Sequence, residues 1–331
     1  MKVYKVAVVV PTLNEEKFIE SCIYSIMRQT FPFADMDVMI IDGGSDDRTC
    51  ELVKAFSKKY SNVRIFQNSR RIQSVAFNIG VANSDAPYVI RLDAHVSYEE
   101  HYIERCINHL ETMPEVGDVG GICETKVIRP GILPESIAIL CQSKFGIGGA
   151  AFRVGASAGY VDTVPFGAFP RNVINEIGGM REDLARAEDN EYVSRIRRAG
   201  YKVYLDPDII STYYARDTFA GIIKQMYANG KSIGQLFYVD RSAIGLRHFV
   251  PLAFVLSLLG SLCGAFIWFP IFHFLLTVIG LYGIVNILAT CLECKKHGWK
   301  YIVTLPMLFM FVHISYGVGT IFGLIKYMFR S

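Results

Sequence analysis

Tyr88-Val89-Ile90-Arg91-Leu92-Asp93-Ala94-His95 is the stretch from which the rest of this chain is read. It is a short, mostly apolar run that ends in a carboxylate and an imidazole. The pattern predicts a buried strand, and on an extended backbone side chains at i and i+2 point the same way, so Asp93 and His95 would leave one face together. A carboxylate and an imidazole on one side can hold a divalent cation, and such a cation neutralises a phosphate leaving group. Taken alone, the same residues would equally suit a strand end whose Asp caps a turn and whose His lies on the surface. The flanking sequence favours the cation site.

Upstream, Val6–Val10 is a continuous apolar run, the pattern of a strand covered on both faces. Asn14, followed by Glu15 and Glu16, is a helix N-cap signal, and Phe18, Ile19, Cys22, Ile23 and Ile26 supply the helical stripe as far as Thr30-Phe31-Pro32. A second strand, Asp37–Ile41, runs into Asp42-Gly43-Gly44-Ser45-Asp46-Asp47, a tight turn that caps a helix through Lys59. Val63–Gln67 is a third strand, followed by Arg70 and Arg71 and a helix over Gln73–Ala82. Strands alternating with helices predict right-handed crossovers and a mostly parallel sheet with flanking helices. In such sheets ligands bind beyond the carboxyl ends of the strands. Thr12, Asp42, Arg70, Arg71 and Asp93 all fall just past predicted strand ends, and acids mixed with arginines suit a nucleoside diphosphate with its cation. Neither GxxxxGK[ST] nor GxGxxG is present, which disfavours a P-loop or dinucleotide cradle.

Downstream, the pattern predicts a helix over Tyr98–Thr112 and a strand over Val119–Val127. Residues 128–159 are rich in Gly and Ala and take no assignment, and Phe145–Ala151 within them reads as a mobile loop. A helix over Arg171–Ile177 is ended by Gly178-Gly179, and Glu188 and Asp189 open another that Gly200 stops before a strand over Tyr201–Leu205. The dipole at a helix N-terminus favours an ionised carboxylate, as a general base requires, although two acids there also serve simply as caps.

The chain has 331 residues, 51% hydrophobic, with a formal net charge of +3. Mean hydropathy is +0.28, and the excess is concentrated in 248–325, which is nearly devoid of charge, while 1–247 resembles an ordinary globular protein. No Lys/Arg run interleaved with aromatics marks a nucleic-acid groove. Eight cysteines are scattered, mostly in apolar surroundings, which fits free thiols in a reducing compartment. Cys291 and Cys294 have zinc-like spacing but no second pair, only His297 nearby. The start of the chain lacks the apolar stretch and cleavage site of a signal peptide.

Phe249–Phe269, Ile271–Thr290 and Ile302–Ile325 are each long and apolar enough to cross a bilayer. Arg241, Arg247, Lys295, Lys296 and Lys300 flank the first pair on one side, which predicts a cytoplasmic catalytic domain at an inner membrane. Three full crossings would place Lys326 and Arg330 outside, against the charge rule, unless the third run is re-entrant. Phe219–Phe237 reads as an amphipathic helix at the bilayer surface. The division expected from these patterns is 1–215 catalytic, 216–247 interfacial and 248–331 transmembrane.

In order, Val9–Glu16, Ile40–Asp47, Leu92–His95, Ala187–Glu191, Arg195 and Arg198-Ala199-Gly200-Tyr201 resemble the family 2 glycosyltransferases over residues 5–240, most of all the membrane-bound type that builds bacterial exopolysaccharide, such as the succinoglycan glucosyltransferases. The resemblance implies a GT-A fold, a nucleoside-diphosphate sugar donor (a UDP-sugar favoured), Mn²⁺ or Mg²⁺, inversion at the anomeric carbon and a lipid-linked glycan acceptor. It places Pro11, Thr12 and Glu15 in the nucleoside pocket, Asp42 on the base, Arg71 near base or phosphates, Asp93 as first acid of the DXD motif, and Asp189, paired with Glu188, as catalytic base. His95 stands where the family often has a second Asp, which leaves the metal's identity open. A helix below the acceptor site would bring Lys231 or Arg216 to a lipid-linked diphosphate, or simply to anionic headgroups. A processive synthase would need more membrane helices and a Gln-x-x-Arg-Trp motif, whereas Gln225 is followed by Met-Tyr-Ala; a scaffold that has lost transfer is the other alternative.

Overall fold

The computed structural model describes residues 3–329, which form two compact units. The first comprises the chain up to Glu124 together with Gly155–Tyr214; the second comprises Thr125–Val154 and the chain from Ala215 onward.

The first unit opens with the expected alternation: β1 (Val6–Thr12), α1 (Ile19–Met27), β2 (Met36–Asp42), α2 (Thr49–Lys59), β3 (Val63–Gln67), α3 (Gln73–Ala82) and β4 (Tyr88–Arg91). It continues with β5 (Val96–Tyr98), α4 (Tyr102–Thr112) and β6 (Val116–Lys126). Between them and the rest of this unit lie α5 (Ile132–Gln142), α6 (Lys144–Ile147) and α7 (Ala151–Val154) of the second unit. The first unit then closes with β7 (Gly159–Tyr160), β8 (Ala168–Pro170), α8 (Arg171–Ile177), α9 (Glu188–Arg198) and β9 (Lys202–Tyr214).

One sheet runs β3-β2-β1-β4-β8-β6-β9-β5, with β7 paired to β9. β1 to β4 are parallel, whereas β8 joins β4 antiparallel, as do β5 and β7 with β9. The sheet is therefore mixed, with a parallel half that holds the ends of β1, β2 and β4 side by side.

Strand alternation explains why both faces of β1 are apolar. Val6, Val8 and Val10 join a core with α1, α2 and α4, while Ala7 and Val9 join a second core with α3, α8 and α9. Burying each valine contributes roughly 1.5–3 kcal/mol. Glycines set the closest approaches. A side chain at Gly80 of α3 would meet Val9 at 2.4 Å, and one at Gly121 of β6 would stand 1.8 Å from the Ile209 carbonyl of β9.

Three local expectations are corrected. β4 stops at Arg91, so Asp93 and His95 lie on a turn into β5 rather than on a strand. Asn14 is not an N-cap: its φ is 57° and α1 starts at Ile19. Instead the residue reaches across to the turn after β2, where its backbone N–H donates to Ser45 Oγ (2.9 Å) and its side-chain Oδ1 accepts from Asp46 N–H (3.0 Å). The last strand runs to Tyr214 rather than Leu205, because its second half is covered by β5 and β6.

The second unit adds α10 (Phe219–Val239), α11 (Val250–Ala265), α12 (Pro270–His297) and α13 (Thr304–Met328). The segments from Leu246, Pro270 and Thr304 are long and apolar enough to cross a membrane. Phe145, expected on a mobile loop, is packed: its ring lies 5.1 Å from Phe309 and 4.9 Å from His313, and its carbonyl faces His313 Nε2 at 2.7 Å. Glu135 of α5 accepts from Lys300 Nζ (2.7 Å) and from the Tyr301 hydroxyl, which hold its carboxyl down to about 2. Cys291 and Cys294 are free thiols. Arg330 lies outside the described residues.

Gly121→Ala is expected to destabilise the protein by about 1–3 kcal/mol or more, because its methyl meets a backbone carbonyl that cannot rotate away. A drop in the thermal midpoint in detergent checks this.

Candidate active site

The parallel half of the sheet delivers the predicted residues to one edge. Thr12 and Asp42 are register partners at the ends of β1 and β2. Thr12 is buried, with its hydroxyl 3.4 Å from the Ile41 carbonyl, and its own carbonyl accepts from Gly43 N–H (2.8 Å). Asp42 accepts from Gly44 N–H (2.9 Å), Ser45 N–H (3.0 Å) and the Ser45 hydroxyl (2.6 Å). Burial alone would raise this carboxyl, but those donors and the Cys50 thiol bring it below the ordinary carboxylate value. Arg71, at φ 57°, lies over this turn: a side-chain carbon on Gly44 would stand 3.4 Å from its Nη2. Arg70 is used elsewhere, paired with Glu182 by an ion pair and by Nη2 to the Glu182 carbonyl (3.1 Å). Pro11, paired with Ile41, is partly exposed beside Thr12.

Glu15 belongs with the β4 turn as much as with this pocket. Its Oε1 lies 3.0 Å from His95 Nδ1, while its N–H donates to Thr49 Oγ1 (2.8 Å). The turn is held from below, where Asp93 N–H donates to the Tyr98 hydroxyl (2.7 Å) and the Cys22 thiol sits 3.9 Å from the Asp93 carbonyl. Burial pushes that thiol up to about 12, with the Asp93 and Glu15 charges adding to it.

This donor set fits the divalent cation that the resemblance implies. Asp93 offers a hard oxygen and His95 an imidazole nitrogen, a combination better suited to Mn²⁺ than to Mg²⁺. A carboxylate on Nδ1 selects the tautomer whose Nε2 carries the lone pair, the usual support for a metal-binding histidine. Among the described residues no group of three His, Cys, Asp or Glu side chains could hold an ion. The protein would therefore supply part of the shell, and substrate oxygens and water the remainder.

Arg91 joins this turn to the start of α9. It is buried, with Nη2 3.4 Å from Asp93 Oδ1 and Nη1 3.2 Å from Glu188 Oε1. Burial alone would lower its pKa, but the charges of Asp93, Glu188 and Asp189 together raise it. Glu188 is only 4% exposed, whereas its neighbour Asp189 faces solvent in the first turn of α9. Burial, followed by the Asp189 charge, raises the Glu188 carboxyl, and Arg91 offsets part of that. The two acids thus divide: Glu188 anchors inward and Asp189 is open to solvent. Arg91 escaped the sequence reading, although it sits two residues before Asp93 and so shared its predicted face.

Arg91→Met is expected to cost about 3–5 kcal/mol, since it leaves Glu188 buried without its counter-charge. Adding Glu188→Leu should recover much of that loss, and urea midpoints of the two variants check it. Ser45→Ala is expected to cost about 1 kcal/mol at neutral pH by removing a donor to Asp42. Because the Asp42 pKa is depressed in the fold, this difference should be complete above the ordinary carboxylate range and shrink as pH falls through the lowered value. Unfolding midpoints across an acid pH series measure it.

The fold has counterparts among known proteins. Residues 7–134 match the model of Glycosyl transferase family 2. The chain is 26% identical, over 97% of both lengths, to the Methanococcus voltae dolichyl N-acetyl-alpha-D-glucosaminyl phosphate 3-beta-D-2,3-diacetamido-2,3-dideoxy-beta-D-glucuronosyltransferase. It is 29% identical to the succinoglycan biosynthesis protein ExoA of Rhizobium meliloti, over 80% of this chain and 79% of that one. Among solved structures, the mannosyltransferase PcManGT from Pyrobaculum calidifontis, in complex with GDP-Man and Mn²⁺, superposes with a TM-score of 0.61 at 17% identity, covering 97% of this chain and 88% of that chain. Residues 7–134 are thus similar to a family 2 glycosyl transferase domain, the mixed α/β sheet has the GT-A-like fold of that neighbour, and three apolar helices that could span a membrane follow.

Proposed function

We propose that this protein moves a sugar from a nucleoside-diphosphate sugar, with inversion, onto a hydroxyl of a membrane-held, polyprenyl-diphosphate-linked glycan at the cytoplasmic face. The observation that carries this reading is the bridge from Asp93 through Arg91 to Glu188, whose neighbour Asp189 faces solvent in the first turn of α9. The relatives support the acceptor class, because one is named for a dolichyl-linked substrate and another for succinoglycan synthesis. A uridine donor is favoured; solved neighbours have been captured with GDP-Man and with UDP-GlcNAc.

In this mechanism Thr12, Asp42 and Arg71 bind the nucleoside end of the donor, with Pro11 and Glu15 lining the pocket. Asp93 and His95 are the side chains that would hold Mn²⁺ or Mg²⁺, which supplies positive charge against the diphosphate when bound. Asp189 takes the proton of the acceptor hydroxyl. The acceptor oxygen forms a bond to the anomeric carbon from the face opposite the diphosphate. The anomeric carbon–oxygen bond breaks, its electron pair leaving with the nucleoside diphosphate, and the proton remains on Asp189.

A screen of nucleotide sugars against membranes bearing the protein, reading released nucleoside diphosphate, should find one preferred donor. Asp189→Asn is expected to lower turnover by roughly 10²–10⁴-fold, the usual contribution of a general base, with nucleoside-diphosphate affinity kept. Undiminished turnover in that variant rejects the base assignment.

A further inference from the structure

The third apolar helix differs from the other two in its partner. Its most apolar stretch is 39% buried, against 17% for each of the others. What buries much of it is α10. The Phe219 and Phe311 rings lie 5.3 Å apart, and the Ser315 hydroxyl donates to the Ile223 carbonyl at 2.9 Å. One turn further on, Gly319 lies against the Tyr227 carbonyl, and after another turn Gly323 lies against the Lys231 carbonyl; a side-chain carbon at either glycine would stand 2.2 Å away. The offset between partners stays at 92 residues through all four contacts, so the helices run parallel and in register. Gly230 and Gly234 answer from α10, at 2.0 Å from the Tyr316 carbonyl and 2.5 Å from Leu324 N by the same measure. Backbones this close leave no room for lipid between the helices and tie their depths together.

Helix α10 is poorly suited to hydrocarbon. It carries Lys224, Gln225, Asn229, Lys231 and Gln235, and Asp240 caps its end. Charged side chains at bilayer depth are costly, and α10 is not among the helices apolar enough to cross. α13 cannot cross while α10 stays at the surface, since the two share register over about three turns. The exposed large side chains of α13, with the residue that caps its end, also lie on one side: Met307, Met310, Phe311, Phe322, Ile325, Met328 and Phe329 fall within roughly a third of the helix circumference at 3.6 residues per turn. Lys326 follows at the edge of that stripe, where a long basic side chain can reach headgroups. Lys300, just before the helix, is ion-paired with Glu135.

We propose that α13 lies along the membrane surface beside α10, with its Met307–Phe329 stripe on the acyl chains, and does not cross the bilayer. Only α11 and α12 enter it deeply, as a hairpin whose charged ends, Arg247 and Lys295 with Lys296, share one face. Lys326 then stays on that same face, which removes the conflict with the charge rule that three crossings create.

Sidedness of labelling tests this. In the full chain, with Cys50, Cys263 and Cys291 replaced by serine, Lys296→Cys and Lys326→Cys are made separately. Each is treated with a membrane-impermeant maleimide in sealed inverted and sealed right-side-out vesicles. Both are expected to react in the same vesicle type and to be protected in the other. Reaction of Lys326→Cys from the face opposite Lys296→Cys overturns the proposal, as does recovery of the protein in the soluble fraction. A fluorescent protein that matures only in the cytoplasm, fused after Ser331, gives a second measure: with Lys296→Cys labelled from the cytoplasmic side, a dark fusion present at full length overturns it and a bright one supports it.

Discussion

A single buried guanidinium holds the candidate site together. Arg91 lies between Asp93, on the turn after β4, and Glu188, at the start of α9, within 3.4 Å of both carboxylates. These elements are far apart in sequence, and nothing else in the described structure links the two carboxylates so directly. Without the cation, three acids would crowd one end of the sheet, and Glu188 would be buried beside the Asp189 charge. With it, the site carries a compensated charge. The inward acid is fixed and the outward one faces solvent. Such a pair is weak support for stability as such, since desolvation offsets much of the attraction, but it is specific about geometry.

A second constraint works through small side chains and backbone amides. The loops after β1 and β2 are stitched together by Asn14, Ser45, Asp47 and Thr49, with Thr49 Oγ1 accepting from Glu15 N–H and Asp47 Oδ2 accepting from Glu16 N–H at 3.1 Å. Glu15 is thereby directed at His95, and the pocket that would take a nucleoside shares a wall with the turn that would take the cation. The same logic operates in the second unit, where glycines on α10 and α13 let two backbones touch and the hydroxyl of Ser136 meets that of Thr304 at 2.6 Å. Close approach fixes a register there that apolar side chains alone would leave loose.

Much of this was legible in the amino acids themselves. The apolar run Val6–Val10, the turn at Asp42–Gly44, the helix of Gln73–Ala82 and the acids that open α9 are local signals, each written in a few neighbouring residues. Periodicity and capping chemistry depend only on such neighbours, as do the three charge-poor runs near the end of the chain. The order of the motifs carried the family resemblance for the same reason.

The tertiary structure decided what those signals are for. Asn14 looked like a cap because an amide before two acids often is one, yet its partner lies across the gap at Ser45 and Asp46. Arg91 looked like one more strand residue, because its partner at Glu188 is brought near only when β8 and α9 fold back on β4. The antiparallel half of the sheet, the split between Glu188 and Asp189, and the pairing of α13 with α10 share this origin. Each rests on contacts between segments dozens of residues apart, and their energy exists only once the chain has closed, so no pattern among adjacent residues records it.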